Sequence, residues 1–230
     1  MIEFKSVSKT YQGKVILEDF SLVVEPGQRV VIVGPSGCGK TTVLRLLAGF
    51  IAPDPGSIFI AGQLVAADGR IIQPPERRNL GMVFQDLALW PHLTVEGNLA
   101  FGLIAHSVPK PERQRRIAEM LALVRMEEYR RARPAELSGG QQQRIALARA
   151  LILQPKALLM DEALSNLDEE LSLHLRKELL LLHHQLGFTL IYVTHDRAEA
   201  SDIGTRIVCM HKGRIQRVGA AADLMPRAPG

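Results

Sequence analysis

The segment Gly34-Pro35-Ser36-Gly37-Cys38-Gly39-Lys40-Thr41-Thr42 decides the fold. Its first eight residues fit G-x-x-x-x-G-K-[ST]. Upstream, Arg29-Val-Val-Ile-Val33 is β-branched and nearly all apolar, as a strand buried on both faces requires. Downstream, Lys40 to Ala48 reads as a helix. Strand, glycine loop and helix, in that order, make a phosphate-binding α/β core. The glycines let successive backbone N–H groups turn inward around phosphate oxygens, and the helix N-terminus adds partial positive charge. Lys40 is placed to reach the β- and γ-phosphates, and the Thr41 hydroxyl to ligate magnesium. Cys38 reads as a bystander, because Cys209 is the only other cysteine and stands far away in sequence.

Composition agrees with that core and excludes much else. A length of 230 residues suits one large α/β domain or two small ones. Hydrophobic residues at 47% and charged residues at 23% exclude disordered, collagen-like and coiled-coil chains. Twenty-eight Lys and Arg against 24 Asp and Glu leave a formal charge of +4, scattered along the chain, which gives no case for a nucleic-acid partner. Two cysteines without metal-ligand spacing exclude a zinc ribbon or disulfide framework and favour a reducing compartment. Met1-Ile-Glu-Phe-Lys5 has no export signal, and no uncharged apolar run reaches the roughly 18 residues of a membrane span. Work at a membrane would require holding on to another protein.

Working outward, Phe4–Tyr11 and Phe20–Glu25 read as antiparallel strands with a tight turn at Gln12-Gly13-Lys14. Gly81–Gln85, Ala157–Met160 and Thr189–Thr194 read as further buried strands, and Arg206–Val218 as a hairpin turning at Lys212-Gly213. Helices are expected from Glu112, from Ser138 to Leu153, and along Leu171, Leu175, Leu179, Leu182 and Leu186 to Gly187. Prolines 53, 55, 74, 75, 91, 109 and 111 leave the region between irregular. The expected fold is one α/β domain over residues 1–230: a P-loop core with a mostly parallel sheet, an N-terminal antiparallel β subdomain, and a helical insertion over about 88–155.

Two more segments carry chemistry. Ala157-Leu-Leu-Met-Asp161-Glu162 is an apolar strand ending in two carboxylates. Beside a P-loop, Asp161 suits magnesium, and Glu162 suits orienting or deprotonating an attacking water. In Leu137-Ser138-Gly139-Gly140-Gln141, Ser138 is a good N-cap, and the two glycines leave backbone amides uncovered at the start of a long helix. That is a second anion site in one small domain. It implies either two ligands or one ligand shared between two chains.

With a P-loop upstream and the Asp-Glu pair downstream, the chain closely resembles the ATP-binding cassette (ABC) ATPases from Tyr11 to the final hairpin. The resemblance implies ATP and Mg2+ as ligands, with Gly34 to Thr42 and Ser138 to Gln141 binding nucleotide. Tyr11 matches the aromatic that stacks on adenine. Gln85 matches the glutamine that touches magnesium and water and senses the transmembrane partner. Ser165-Asn-Leu-Asp168 matches the loop that crosses the dimer interface, with Asp168 near nucleotide, and His195 matches the histidine on the γ-phosphate. Two copies are then expected to face each other head to tail, each ATP lying between one P-loop and the other chain's Ser138–Gln141. Ala163 stands where the family usually has proline, which touches only the stiffness of that loop.

Within that family, the segment Pro74 to Leu103 is similar to the importer branch that serves sugars, polyamines, ferric iron and sulfate. The importer resemblance implies transmembrane permease subunits as direct partners, a solute-binding protein as an indirect one, and a peripheral place on the cytoplasmic side of the cell membrane. Leu87, Leu89, Trp90 and Leu93 form a segment too apolar for a free loop and suited to a permease. The chain stops at Gly230, where related importers often begin a regulatory domain, so no such domain is expected in it. The alternative is a non-transport cassette of DNA repair or translation. Repair cassettes insert coiled coils or zinc modules between P-loop and signature, and roughly a hundred residues separate Gly34 from Leu137 without heptads or cysteine clusters. Translation cassettes carry two copies in one chain, and one is present here.

Overall fold

A computed structural model describes residues 1–165 and 167–224. Its strands are β1 (Ile2–Tyr11), β2 (Lys14–Val24), β3 (Arg29–Val33), β4 (Ser57–Ile60), β5 (Gln63–Ala67), β6 (Arg70–Ile71), β7 (Leu80–Val83), β8 (Ala157–Asp161), β9 (Thr189–Thr194), β10 (Arg206–His211) and β11 (Arg214–Ala220). The helices are α1 (Lys40–Ala48), α2 (Val95–Ala105), α3 (Lys110–Leu123), α4 (Gly139–Leu151), α5 (Glu169–Leu186), α6 (Arg197–Ile203) and α7 (Ala221–Leu224). An antiparallel sheet runs β2-β1-β4-β5-β6, and a second sheet runs β11-β10-β3-β9-β8-β7, parallel except for its β10–β11 edge.

The continuous apolar runs in the central strands have a simple cause: both faces of the parallel sheet are covered. Val31, Val33, Leu158, Met160, Leu190 and Tyr192 point into a core shared with α2 to α6. Their neighbours Val30, Ile32, Leu159, Ile191 and Val193 point the other way, into a core filled by α1 and the antiparallel sheet. Successive strand residues face opposite sides, so the middle of β3 and β9 is apolar on both faces, with Arg29, Thr189 and Thr194 confined to the strand ends.

Several elements differ from the sequence reading. β2 begins at Lys14, not Phe20, because register shifts between Phe4 and Thr10 break the alternation that marks a strand. β4, β5 and β6 occupy the proline-rich region; β4 is held by distant pairing with β1, Ile2 opposite Ile60, which no local pattern displays. α2 also lies there. It buries Val95, Leu99 and Leu103 while Phe101 and Ile104 stand exposed, so apolar residues on both faces blur its period. α6 is a seven-residue helix that was not anticipated. β7 ends at Val83, and Gln85 lies in the following turn, closed by Leu87 N–H donating to Phe84 O at 3.0 Å. α4 stops at Leu151 and α3 starts at Lys110, behind Pro109. Leu186 is exposed, so the buried stripe of α5 is Leu175, Leu179 and Leu182.

One buried cation ties the two sheets' elements together. Arg78 is 2% exposed. Its Nε donates to Gln73 O at 2.8 Å, Nη1 to Leu46 O and Leu47 O at 2.9 and 2.7 Å, and Nη2 to Val65 O at 3.0 Å. The Leu46 and Leu47 carbonyls belong to the last turn of α1, where helix carbonyls lack internal partners and carry partial negative charge. Arg78 thus caps the P-loop helix and bolts it to β5. Burial pushes its pKa down to about 10, which leaves it charged at neutral pH. Replacing Arg78→Met removes the guanidinium's four bonds in a dry site, although Leu46 O keeps the Gly49 N–H and Val65 O keeps those of Ile72 and Gln73. Urea unfolding is expected to show a loss of about 3 kcal/mol or more, and a loss under about 1 kcal/mol, the scale of a surface change, would contradict this role.

Candidate functional site

The site lies at the carboxyl ends of the parallel strands, where α/β sheets bind ligands. Register brings the pieces there. Val33 pairs with Thr194, so the loop after β3 lies beside His195; Asp161 pairs with Val193, so Glu162 follows on the other side. The Glu162 N–H still donates to Val193 O at 2.9 Å, one step beyond the ladder.

In the loop, Gly39 has φ 104°, and a Cβ there would stand 2.8 Å from the Ile16 carbonyl oxygen, so only glycine fits. Lys40 is 4% exposed. Its ammonium donates to Gly34 O at 2.9 Å and Pro35 O at 3.3 Å, and stands 3.6 Å from Glu162 Oε1. A cavity of about 340 Å³ opens over these groups, lined among others by Tyr11, Lys14, Ser36, Lys40, Thr41 and Glu162. Gly37, Gly39 and Thr42 also line it. Burial pushes the Cys38 thiol up, away from the reactive thiolate, in keeping with a bystander.

Thr41 Oγ1 donates to Asp161 Oδ1 at 2.9 Å. Burial raises the Asp161 pKa, the charge of Glu162 adds to the rise, and the Thr41 hydrogen bond opposes it. A hydroxyl and a destabilised carboxylate meeting at one point fit a hard cation. Among the described residues no three of His, Cys, Asp and Glu converge on a metal position. That suits a magnesium ion held by one or two protein oxygens plus phosphates, rather than by a protein cage.

Glu162 adopts φ 46°, a left-handed conformation uncommon for a residue with a side chain. Its carbonyl accepts from both the N–H and the hydroxyl of Ser165, at 3.2 and 2.8 Å. Ala163 occupies the turn between them and is buried. On the far side, Glu162 Oε2 lies 3.1 Å from His195 Nδ1. Lys40, Glu162 and His195 are therefore linked by polar contacts, and the Thr41–Asp161 pair stands beside them. Sequence offered no signal for the strained backbone at Glu162.

The remaining candidates stand apart. Tyr11 ends β1 at the cavity mouth with its ring exposed, and the Lys9 ammonium lies 5.5 Å from the ring centre. Gln85 is exposed beyond β7, at the same sheet edge but outside the cavity lining. Ser138 caps α4 through a reciprocal box: its N–H donates to Gln141 Oε1 at 2.9 Å, and Gln141 N–H donates to Ser138 Oγ at 3.4 Å. Gly140 packs against α5, where a Cβ would meet Leu171 Cδ1 at 2.8 Å. Neither these residues nor Gly139 line the P-loop cavity. Asp168 caps α5, accepting from Leu171 N–H at 2.8 Å. Asn166 of the same loop lies outside the described residues.

The segment after Gln85 is held by two residues that the sequence reading missed. Asn98, fully buried in α2, accepts from Trp90 N–H at 2.8 Å and donates to Trp90 O and Thr94 O at 3.2 and 3.0 Å. Arg149 of α4 donates to the Leu87 and Ala88 carbonyls, where the backbone is left-handed. A buried asparagine between Val95 and Leu99 was the available signal. Leu87 and Leu89 pack partly onto the core, a correction to reading the whole segment as a partner surface, whereas Trp90 stays 44% exposed against Phe101. Another cavity, of about 470 Å³ between α3, α4 and α5, is lined mostly by apolar groups and has no phosphate-binding loop.

Replacing Lys40→Ala removes the one buried cation facing the cavity. ATP hydrolysis by the purified chain is expected to fall to background, because the phosphate charge loses its main partner in the loop. Hydrolysis at the parent rate would contradict the P-loop assignment.

The chain matches the ABC transporter family over residues 17–165. It is 46% identical over 224 residues to the spermidine/putrescine import ATP-binding protein PotA of Pasteurella multocida, covering 97% of this chain and 59% of that protein. It is 45% identical to the trehalose/maltose import ATP-binding protein MalK of Thermococcus litoralis, covering 97% and 60%. The chain thus spans about three fifths of the length of these curated relatives. Among solved structures, a dimeric bacterial ABC transporter cassette is 32% identical with a TM-score of 0.84, covering 96% of this chain and 99% of that one. A dimeric post-hydrolysis cassette bound to ADP and Pi gives 31% and 0.83, with 96% and 99% covered. Family match, sequence identity and whole-cassette superposition agree: the chain belongs to the ATP-binding cassette transporter family.

Proposed function

We propose that this chain is the ATP-hydrolysing subunit of an importer. Two copies close head to tail around two MgATP and drive solute uptake through separate transmembrane permease subunits, fed by a solute-binding protein. The observation that carries the reading is spatial. Lys40, Thr41, Asp161, Glu162 and His195 converge at one sheet edge, while the second anion site at Ser138–Gln141 lies outside that cavity. One chain therefore holds two half-sites. A second copy turned head to tail makes them whole.

Within the half-site the roles follow from position. The loop amides and Lys40 hold the β- and γ-phosphates, and Tyr11 offers a ring to the adenine. Thr41 and Asp161, with Gln85, would hold Mg2+, which would supply positive charge to the phosphate oxygens. Glu162 takes the proton of the attacking water as its oxygen bonds to the γ-phosphorus and the bond to ADP breaks. His195, 3.1 Å from Glu162, steadies that carboxylate and faces the γ-phosphate. The Lys40–Glu162 contact exchanges for a lysine–phosphate contact as nucleotide enters, which frees the carboxylate for water.

No helix of the described residues is long and apolar enough to cross a membrane. Membrane work then falls to a partner, and we place the chain peripherally on the cytoplasmic face, where Trp90 and Phe101 meet the permease. Relatives named for polyamine and for sugar import are nearly equally similar, at 46% and 45% identity, so the cassette itself does not single out a solute.

Two outcomes are expected. Glu162→Gln should keep ATP binding, measured by calorimetry, while hydrolysis falls roughly 10²–10⁴-fold, as for a lost general base; hydrolysis within threefold of the parent would exclude the proton-accepting role. Trp90→Ala should leave stability within about 1 kcal/mol yet weaken co-purification with a co-expressed permease. A large fall in melting temperature with unchanged association would instead make Trp90 a packing residue.

A further inference from the structure

His195 is a weakly held side chain in an important place. Its ring is 53% exposed and its Nδ1 makes one contact, to Glu162. Packing does not pin its loop either, since a cavity of about 140 Å³ lies against it, lined by Leu164, Ser165, Arg176, His195, Asp196 and Glu199 among others. Hydrogen bonds must therefore set where the loop sits.

Those bonds converge on Glu199, in the first turn of α6 and 4% exposed. The hydroxyls of Tyr192 and Thr194, both fully buried on β9, each donate to Glu199 Oε2 at 2.6 Å. Thr194 Oγ1 in turn accepts the Asp196 N–H at 3.0 Å. Asp196 Oδ1 accepts from the N–H groups of Ala198 and Glu199 at 2.6 and 3.1 Å, capping α6. The residues on either side of His195 are thus both tied, directly or through one hydroxyl, to the Glu199 turn. Among the described residues no Lys, Arg or His forms an ion pair with Glu199, and its Oε2 takes both hydroxyl bonds. A buried carboxylate without a cation is expensive unless it is hydrogen-bonded.

We propose that Glu199 is a positioning residue: its carboxylate holds the Thr194 hydroxyl, which in turn holds the Asp196 N–H, and so fixes the backbone of His195 and the distance from the imidazole to Glu162 and to the reacting phosphate. The inference deepens the hydrolytic reading above and rests on it.

The test uses the full chain labelled with 15N at histidine, the His195 signal being assigned by its loss in His195→Ala. Glu199→Ala should move the His195 Nδ1 resonance toward that of a solvent-exposed histidine. It should lower kcat for ATP roughly 10- to 100-fold with KM changed less than about threefold, since misplacement by about an ångström has that effect. Glu199→Gln, which keeps an acceptor oxygen, should stay near the parent on both measures. Thr194→Val should reproduce Glu199→Ala, and it carries the test if the alanine variant does not fold. In a His195→Ala background, Glu199→Ala should cause no further fall in single-turnover rate, the signature of two residues acting as one. An unmoved His195 resonance in Glu199→Ala and Thr194→Val, or an undiminished loss in the His195→Ala background, would overturn the proposal. A parent chain that does not hydrolyse ATP would refute the function itself, while the resonance would still judge Glu199.

Discussion

The parallel ladder β3–β9–β8 is the constraint on which the rest of this molecule hangs. Its strands are apolar on both faces because each face is a core, and a side chain pointing either way meets packed hydrocarbon. A one-residue slip would exchange the two cores, so register is strongly specified. That register sets Val33 beside Thr194 and Asp161 beside Val193, which lines up the loop after β3, the carboxylates after β8 and the histidine after β9. The chemistry is polar, but apolar packing positions it. Arg78 extends the same logic to α1, fixing the far end of the helix whose first residues are Lys40 and Thr41.

Electrostatically the edge is a balance of opposed charges. Lys40 is held by two loop carbonyls and Glu162, and Thr41 by Asp161, so these side chains each have a protein partner already. Such a site is assembled before substrate arrives, and binding exchanges partners rather than building geometry, which is the basis of preorganised catalysis. The carbonyl bonds of Ser165 and the network around Glu199 support Glu162 and His195 from behind.

How much of this was legible in the sequence varied with how local the cause was. Lys40–Ala48 and Thr189–Thr194 are legible to the residue, because β-branched runs and a glycine loop are local signals. Asp161 and Glu162 were legible as a pair, but the left-handed backbone at Glu162 was not, being imposed by the Val193 and Ser165 bonds. β4 was hidden because its partner β1 lies some fifty residues earlier, and α2 because it is apolar on two sides. Gln85 was placed on a strand that ends two residues sooner. Nothing local sets Glu199 apart from other polar residues, and Asn98 is marked only by its place between Val95 and Leu99. Only the fold shows that each gathers the hydrogen bonds of a loop that carries function.

Most of the functional reading depends on two half-sites in one chain being completed by a second copy. Sizing chromatography with light scattering on Glu162→Gln in MgATP tests this. Removing one negative charge beside the γ-phosphate relieves a like-charge repulsion, so the variant should elute as a dimer with ATP and as a monomer without it. Adding Ser138→Arg, which puts a bulky side chain at the exposed start of α4, should return it to a monomer in ATP. A dimer that persisted with Ser138→Arg in place would contradict the shared site, and with it the link from hydrolysis to motion.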